Sequence, residues 1–577
     1  MIRRFSRLSL ALVTLAIFAA SCRHGGATRT VDIGTYLGGR AALVEATPVL
    51  GEHGMVASNS ELASAAGVEI LKQGGNAVDA AVATGFALAV TYPFAGNIGG
   101  GGFMNIHMAD GRSAAIDYRE VAPLAASRNM YVDPATGKLT NKSLIGHLAS
   151  GVPGSVAGMA EALAKYGSLP LAKVMAPAIR LARDGFIVDS SLYRSLRGNR
   201  AVAQFAGKDL FFPNGEALAP GARLVQADLA HTLDLIAAKG PAGFYSGEVA
   251  DALVAEERRG GGIITMDDLR RYKPEWRTPI RSTYRGYTLF TMPPASSGGI
   301  TMTETLNILE TFGPLPPYGS AGYTHLLAES FRRAFIDRNE KLADPAFVKV
   351  PIEQLTSKAY AKELAAGIDR HHATKTPAFK VAAEPEHTTH YSVADAKGNV
   401  VSTTTTLNGG YGSGVWVPKG GFFMNNEMDD FAAQPGTANM FGLVQGEANA
   451  IVPGKRMLSA MAPTIVLDKD GKVLLVVGAA GGPRIITTTT EVILNVIEHR
   501  MSLADAMRAP RLHHQSLPDT LQYEAGAFSD AVADSLRAMG HALQVSRGLA
   551  NANGIMRVSG GWIGVREPRS TGGAVGY

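Results

Sequence analysis

Thr388-Thr389-His390-Tyr391-Ser392-Val393-Ala394-Asp395-Ala396-Lys397-Gly398-Asn399-Val400-Val401-Ser402-Thr403-Thr404-Thr405-Thr406 is the stretch whose reading decides the fold. Two β-type runs, Thr389 to Ala394 and Val400 to Thr406, flank a loop that carries Gly398, the signature of a hairpin. Counting back from the loop sets Ala394 against Val400, Ser392 against Ser402, and Thr388 against Thr406. Partners on one face of such a ladder hold their Cβ atoms roughly 5 Å apart, which brings the Thr388 and Thr406 hydroxyls within reach of each other. Strand propensity alone accounts for most threonine pairs of this kind. The surroundings of this pair call for more.

Upstream of the hairpin, the segment from about Ala366 to Glu386 is polar, carries Pro377 and Pro385, and reads as a surface linker, so a flexible stretch ends abruptly at a strand. Downstream, strands are expected at Pro463 to Leu467 and Val473 to Val477, then a helix near Ile493 to Arg500. Nearer the start, Ser58 to Val90 reads as two packed helices broken at Gly74-Gly75-Asn76. The apolar run Ala80 to Ala95 is interrupted by Thr84, Gly85, Thr91 and Pro93, which favours a buried core helix over a membrane span. Gly99 to Gly102 leads into alternating strands through Ile116, and the glycine-rich corner Pro293 to Gly299 precedes a helical stretch from Ile300.

The 577 residues are 46% hydrophobic and 18% charged, with mean hydropathy near zero, so the chain has ample material for a large core. Its 66 glycines follow no repeat period and suit one large α/β body with many tight turns. The net charge of +5 is dispersed, and part of it is Arg3, Arg4 and Arg7, so no basic stripe suited to nucleic acid is left and a small-molecule partner is favoured. Those arginines, the apolar run Leu8 to Ala20, and Ala19-Ala20-Ser21 before Cys22 make residues 1–21 a signal peptide and the protein an exported one. The same small residues before Cys22 serve plain cleavage with release, secreted or periplasmic, or a lipid anchor on Cys22 at the envelope. Cys22 is the only cysteine, which excludes an internal disulfide and thiolate chemistry downstream. The pairs His371-His372 and His513-His514 lack the carboxylate or i,i+4 partner of a zinc site, so no metal is expected.

Thr388 to Val393, Thr406-Leu407-Asn408 and Asn425 to Phe431 together resemble the γ-glutamyltransferase (γ-glutamyl transpeptidase) family. Further matching strings run in the family's order through the mature chain: Ile98 to Phe103, Asp117 to Glu120, His147 to Gly154, Leu181 to Val188, Tyr284 to Tyr287, Ala509 to His514 and Gly576-Tyr577. The resemblance implies an N-terminal nucleophile hydrolase with an αββα four-layer sandwich. It implies a precursor cut at His387-Thr388 into a large subunit, 22–387, and a small catalytic subunit, 388–577. It also implies a Thr388 nucleophile whose own freed amine is its base, needing neither cofactor nor histidine. A threonine hydroxyl needs such a base because it is a weak nucleophile at its ordinary pKa.

By the same resemblance, Thr406 supports Thr388, and the backbone N–H groups of Gly481 and Gly482 form an oxyanion hole, where each donor is worth roughly 3 kcal/mol. Arg119 takes the substrate α-carboxylate with Ser459, while Glu427 and Asp430, with Asn408, hold the α-ammonium; a planar, permanently charged fork suits the first task. The implied substrates are glutathione and other γ-glutamyl compounds, with water, an amino acid or a dipeptide as acceptor. Two departures stand out. Ala460 replaces the second serine of the family's pair, removing a hydrogen bond to a charged group worth roughly 1.5–3 kcal/mol. Phe441, in the lid segment Pro435 to Asn449, stands where many members have a tyrosine and cannot donate a hydroxyl to Asn408. Two rivals remain at this stage: a related acylase acting on glutaryl or cephalosporin-type amides, which Ala460 favours, and an unprocessed, non-catalytic envelope-binding protein.

Overall fold

The computed structural model describes residues 45–199, 202, 204, 208–377 and 388–577. Residues 1–21, read as a signal peptide, and Cys22 and His387 lie outside the described residues. Two seven-stranded sheets form the centre. One runs, from edge to edge, Gly573–Gly576, Met55–Ser58, Thr388–Ala394, Val400–Thr406, Gly101–His107, Ser113–Asp117 and Glu275–Arg277. The other runs Val49–Gly51, Gly561–Val565, Asn551–Val558, Val473–Ala480, Thr464–Leu467, Tyr287–Thr291 and Ile280–Tyr284. Each sheet therefore interleaves strands from before and after residue 388.

The hairpin at the centre of the first sheet has the register read from the sequence, Thr388 opposite Thr406 through Ala394 opposite Val400. Both of its strands are buried along their whole length, because each of their faces is covered. Tyr391 and Val393 point into the core shared with Glu61–Lys72 and Ala77–Thr91, while Ala394 and Val400 meet Ile465, Val476, Ile555 and Trp562 of the facing sheet. The even-numbered residues Thr388, His390 and Ser392 share the inter-sheet face with Ala394, as the period of two requires. Beyond the second sheet, the helices Gly298–Glu310, Ala321–Lys341 and Arg484–Ile497 form the outer layer with their own core. The order is helix, sheet, sheet, helix: the expected αββα sandwich. Truncating Ile465 between the sheets would cost about 2–5 kcal/mol.

Local chemistry explains the helix boundaries. Ser60 caps Glu61–Lys72 by accepting from the Ala63 N–H, and Asn76 with Asp79 forms a reciprocal capping box on Ala77–Thr91. Every residue of Ala77–Thr91 is buried, which its alanines permit, and a Cβ on Gly67 would strike the Thr84 hydroxyl of that neighbouring helix. Ala80 to Ala95 is thus core helix and turn, and among the described residues no helix is long and apolar enough to cross a membrane.

Four expectations need correction. The helix placed near Ile493 to Arg500 begins at Arg484 and ends at Ile497; the β-branched run Thr487–Thr490 masks its first turns, and burial against the sheet overrides that propensity. The strand Val473 to Val477 continues to Ala480, and the helix expected from Ile300 starts at Gly298. The linker expected from Ala366 is anchored in its first part. Lys358–Ala366 is helical, the Ala373 N–H donates to the Met539 carbonyl at 2.7 Å, and the Thr374 hydroxyl donates to buried Glu329 at 2.6 Å. The Thr376 N–H donates to Asp519 at 3.0 Å. Docking of this kind uses polar groups and leaves no mark on hydrophobic periodicity.

Candidate active site

Thr388 is the first residue of its strand and lies at the end of the gap between the sheets, 7% exposed. Its Oγ1 is 3.3 Å from the Thr406 Oγ1, and the Asn408 N–H donates to that Thr406 oxygen at 2.8 Å. Asn408 turns the chain out of the ladder at φ 75°, a conformation asparagine tolerates, and its Nδ2 donates to the Asn426 carbonyl at 3.0 Å. His390, two residues on, is no base for Thr388. It is bonded to Thr404 and Ser392, burial pulls its pKa down to about 3, and it does not line the pocket.

The hydroxyl opens into a pocket of about 310 Å³ lined by Thr388, Thr406, Asn408, Arg119, Glu427, Asp430, Ser459, Phe441 and Gly482, among others. Nine of the ten residues singled out in the sequence therefore meet in one cavity, and the tenth, Gly481, directly precedes Gly482 in the chain. Strand topology brings them together: Ser459 lies just before Thr464–Leu467, and Gly481-Gly482 directly follows Val473–Ala480, so both loops face the start of the nucleophile strand across the gap.

Gly481 and Gly482 have φ of 143° and 55°, and a Cβ on Gly482 would sit 2.9 Å from the Phe441 ring. Only glycine suits that conformation and that approach. Pro483 and the helix Arg484–Ile497 follow at once, which puts the positive end of a helix dipole behind the pair. Among the described residues neither glycine N–H donates to a protein acceptor.

In the same cavity, Arg119 is fully buried and its fork is held by Glu427 and Asp430, with Glu120 at 3.8 Å. Burial opposes its charge, but the three carboxylates outweigh burial and hold it above its ordinary value. Burial raises the acids in turn: Glu120 is pushed up to about 7, Glu427 well above the usual carboxylate range, and Asp430 upward against the pull of Arg119. Glu427 Oε2 is buried without a hydrogen-bond partner, an acceptor left for a cation.

The lid segment is fastened by other groups than a lid hydroxyl. The Met440 N–H donates to Asp429 at 2.9 Å, Asn439 Nδ2 donates to Asp430 at 3.3 Å, and Gln515 Nε2 donates to the Phe441 carbonyl at 3.2 Å. Asn408 Nδ2 meets Met440 Sδ at 3.6 Å where a tyrosine hydroxyl is lacking. Sequence reasoning missed one charged lining residue, Arg338, on the helix Ala321–Lys341. The available signal was a charge at i+3 and i+4 from buried Phe335 and Ala334, on the helix's core face.

A threonine opening one strand of two facing sheets, enclosed between helical layers and aimed into the gap, is the arrangement of an N-terminal nucleophile hydrolase. Residues 63–577 match the Gamma-glutamyltranspeptidase family, and the chain belongs to it. It is 48% identical to the glutathione hydrolase proenzyme of Escherichia coli K12, over 91% of each chain. Cephalosporin acylase from Bacillus halodurans superposes with a TM-score of 0.81 at 30% identity, covering 92% of this chain and 97% of that one. The γ-glutamyltranspeptidase of Helicobacter pylori superposes with a TM-score of 0.53 at 43% identity, covering 54% of this chain and 91% of that one.

Proposed function

We propose that the chain is an exported precursor that cuts its own backbone at His387-Thr388 and then transfers γ-glutamyl groups from glutathione and related amides to water, an amino acid or a dipeptide. In the first step the Thr388 hydroxyl adds to the His387 carbonyl, the amide becomes an ester, and water hydrolyses it to leave Thr388 with a free α-amine. That amine then takes the hydroxyl proton as the Thr388 oxygen adds to the γ-carbonyl of a donor. The N–H groups of Gly481 and Gly482 receive the oxyanion, and Thr406 orients the attacking oxygen. The leaving amine departs with the proton, and the glutamyl ester passes to the acceptor. Arg119 and Ser459 hold the α-carboxylate; Asp430, Glu427 and Asn408 hold the ammonium; Phe441 covers the pocket.

The observation that carries this reading is one cavity lined by both an uncharged hydroxyl pair and an Arg119–Glu427–Asp430 cluster. The match with a glutathione hydrolase proenzyme supports the same donor class. Ala460 and the likeness to a cephalosporin acylase favour a second reading, a glutaryl-type acyl donor. Purified protein should run as two pieces under denaturing conditions, the smaller beginning at Thr388, and should release aniline faster from a γ-glutamyl than from a glutaryl anilide. A single intact, inactive chain would make it a binding protein instead, and a preference for the glutaryl donor would make it an acylase. Sequencing the start of the larger piece reports whether the leader ends before Cys22 and whether that residue is blocked by lipid.

A further inference from the structure

Arg338 reaches the same cavity from the helix Ala321–Lys341 and is 1% exposed. Its guanidinium meets only neutral groups: Nε donates to Ser297 Oγ at 3.1 Å, and Nη1 donates to Asn339 Oδ1 at 2.9 Å and to Gln445 Oε1 at 3.4 Å. Among the described residues no carboxylate lies within ion-pair distance, and Nη2 has no hydrogen-bond acceptor. Burial pulls its pKa down to about 10, partly offset by the charge of Asp430, so it stays protonated at neutral pH. A buried cation without an anion is costly, and a binding site is where such a cost is recovered.

Arg119, by contrast, already spends its fork on two carboxylates. A donor with an α-ammonium draws those acids to itself, and its α-carboxylate then benefits from a cation with bonds to spare. Arg338 stands on the correct side for this. Its partner Ser297 donates through Oγ to the Ser459 carbonyl at 2.5 Å, and the Ser297 N–H donates to the same carbonyl at 2.8 Å, so Arg338 is tied to the Ser459-Ala460 turn. Ala460 also lines the cavity and offers no hydroxyl.

We infer that Arg338 is a second carboxylate-binding residue of the donor pocket, paired with the α-carboxylate beside Arg119 and standing in for the hydroxyl that Ala460 lacks. This rests on the donor class proposed above. Steady-state hydrolysis of a γ-glutamyl anilide by the matured enzyme tests it. R338Q should raise KM about tenfold to a hundredfold, the range for losing a hydrogen-bonded charge contact, with kcat within about threefold. Adding A460S to R338Q should recover at least about fivefold of that KM, whereas A460S alone should change KM less than about twofold. A fall in kcat at constant KM, or no recovery by A460S, would mean that Arg338 merely props the Ser459 turn and would overturn the inference. Should R338Q fail to mature, R338K decides, since an ammonium cannot form the planar fork: a KM raised about threefold or more at unchanged kcat supports the inference, and an unchanged KM overturns it. Failure of the donor class itself is read separately, as unsubstituted enzyme that does not turn over the γ-glutamyl anilide.

Discussion

Two parts of the lining of one cavity are built on opposite principles. Around Thr388, the Thr406 hydroxyl and the Gly481-Gly482 backbone are uncharged, and among the described residues no side chain beside the Thr388 hydroxyl is a competent base. Elsewhere in the lining, buried Arg119 is paired with Glu427 and Asp430, with Glu120 beside it, so charge dominates there. On the proposed function, recognition is therefore complete once the chain has folded, whereas reactivity waits on the cut before Thr388. Substitutions in the two parts should fail in different ways.

The largest effect belongs to the uncharged part. T388A should remain one chain and lose anilide hydrolysis by about 10⁴-fold or more, because one oxygen serves both reactions; gel electrophoresis and initial rates read both. In the charged part, D430N should still be cut into two pieces while kcat/KM falls about 10²- to 10³-fold, the scale of breaking a buried charge pair. A D430N protein that stays uncut would erase the contrast between the two parts. Removing the Thr406 hydroxyl with T406V keeps the side-chain size and should lower kcat about fivefold to tenfold, as for one neutral hydrogen bond. The smallest effect is a pH dependence. With Glu120 pushed up to about 7 by burial, its carboxyl is protonated below that pH and the cluster holds an ammonium less firmly. KM for a γ-glutamyl donor should then fall about threefold as pH rises through 7, and E120Q should flatten that change.

Much of this contrast was legible before any coordinates. Hairpin register follows from a loop length and a period of two, which is why Thr388 could be set opposite Thr406 by counting. The Ser60 and Asn76 caps and the breaker between them mark the first two helices just as locally. The site residues came from the order of short strings, not from pattern, because contacts between residues some 300 positions apart, such as Arg119 with Glu427, leave no periodic trace. Arg338 escaped for a related reason: a single arginine on a helix says nothing about which pocket that helix borders. The threonine run at the start of Arg484–Ile497 misled in the other direction, since tertiary burial outweighs a few tenths of a kcal/mol of propensity per residue.

Interleaving of strands from both sides of residue 388 in each sheet has a thermodynamic corollary. The scission proposed there would sever no sheet, yet it would turn a unimolecular melting equilibrium into one that liberates two polypeptides. Dilution then favours the separated partners by mass action, so the cut protein melts at a temperature that climbs with its concentration, while T388A melts at one that does not. Neither side of residue 388 owns a complete sheet, so the proposed two-piece enzyme is an assembly that the uncut chain would have to fold first.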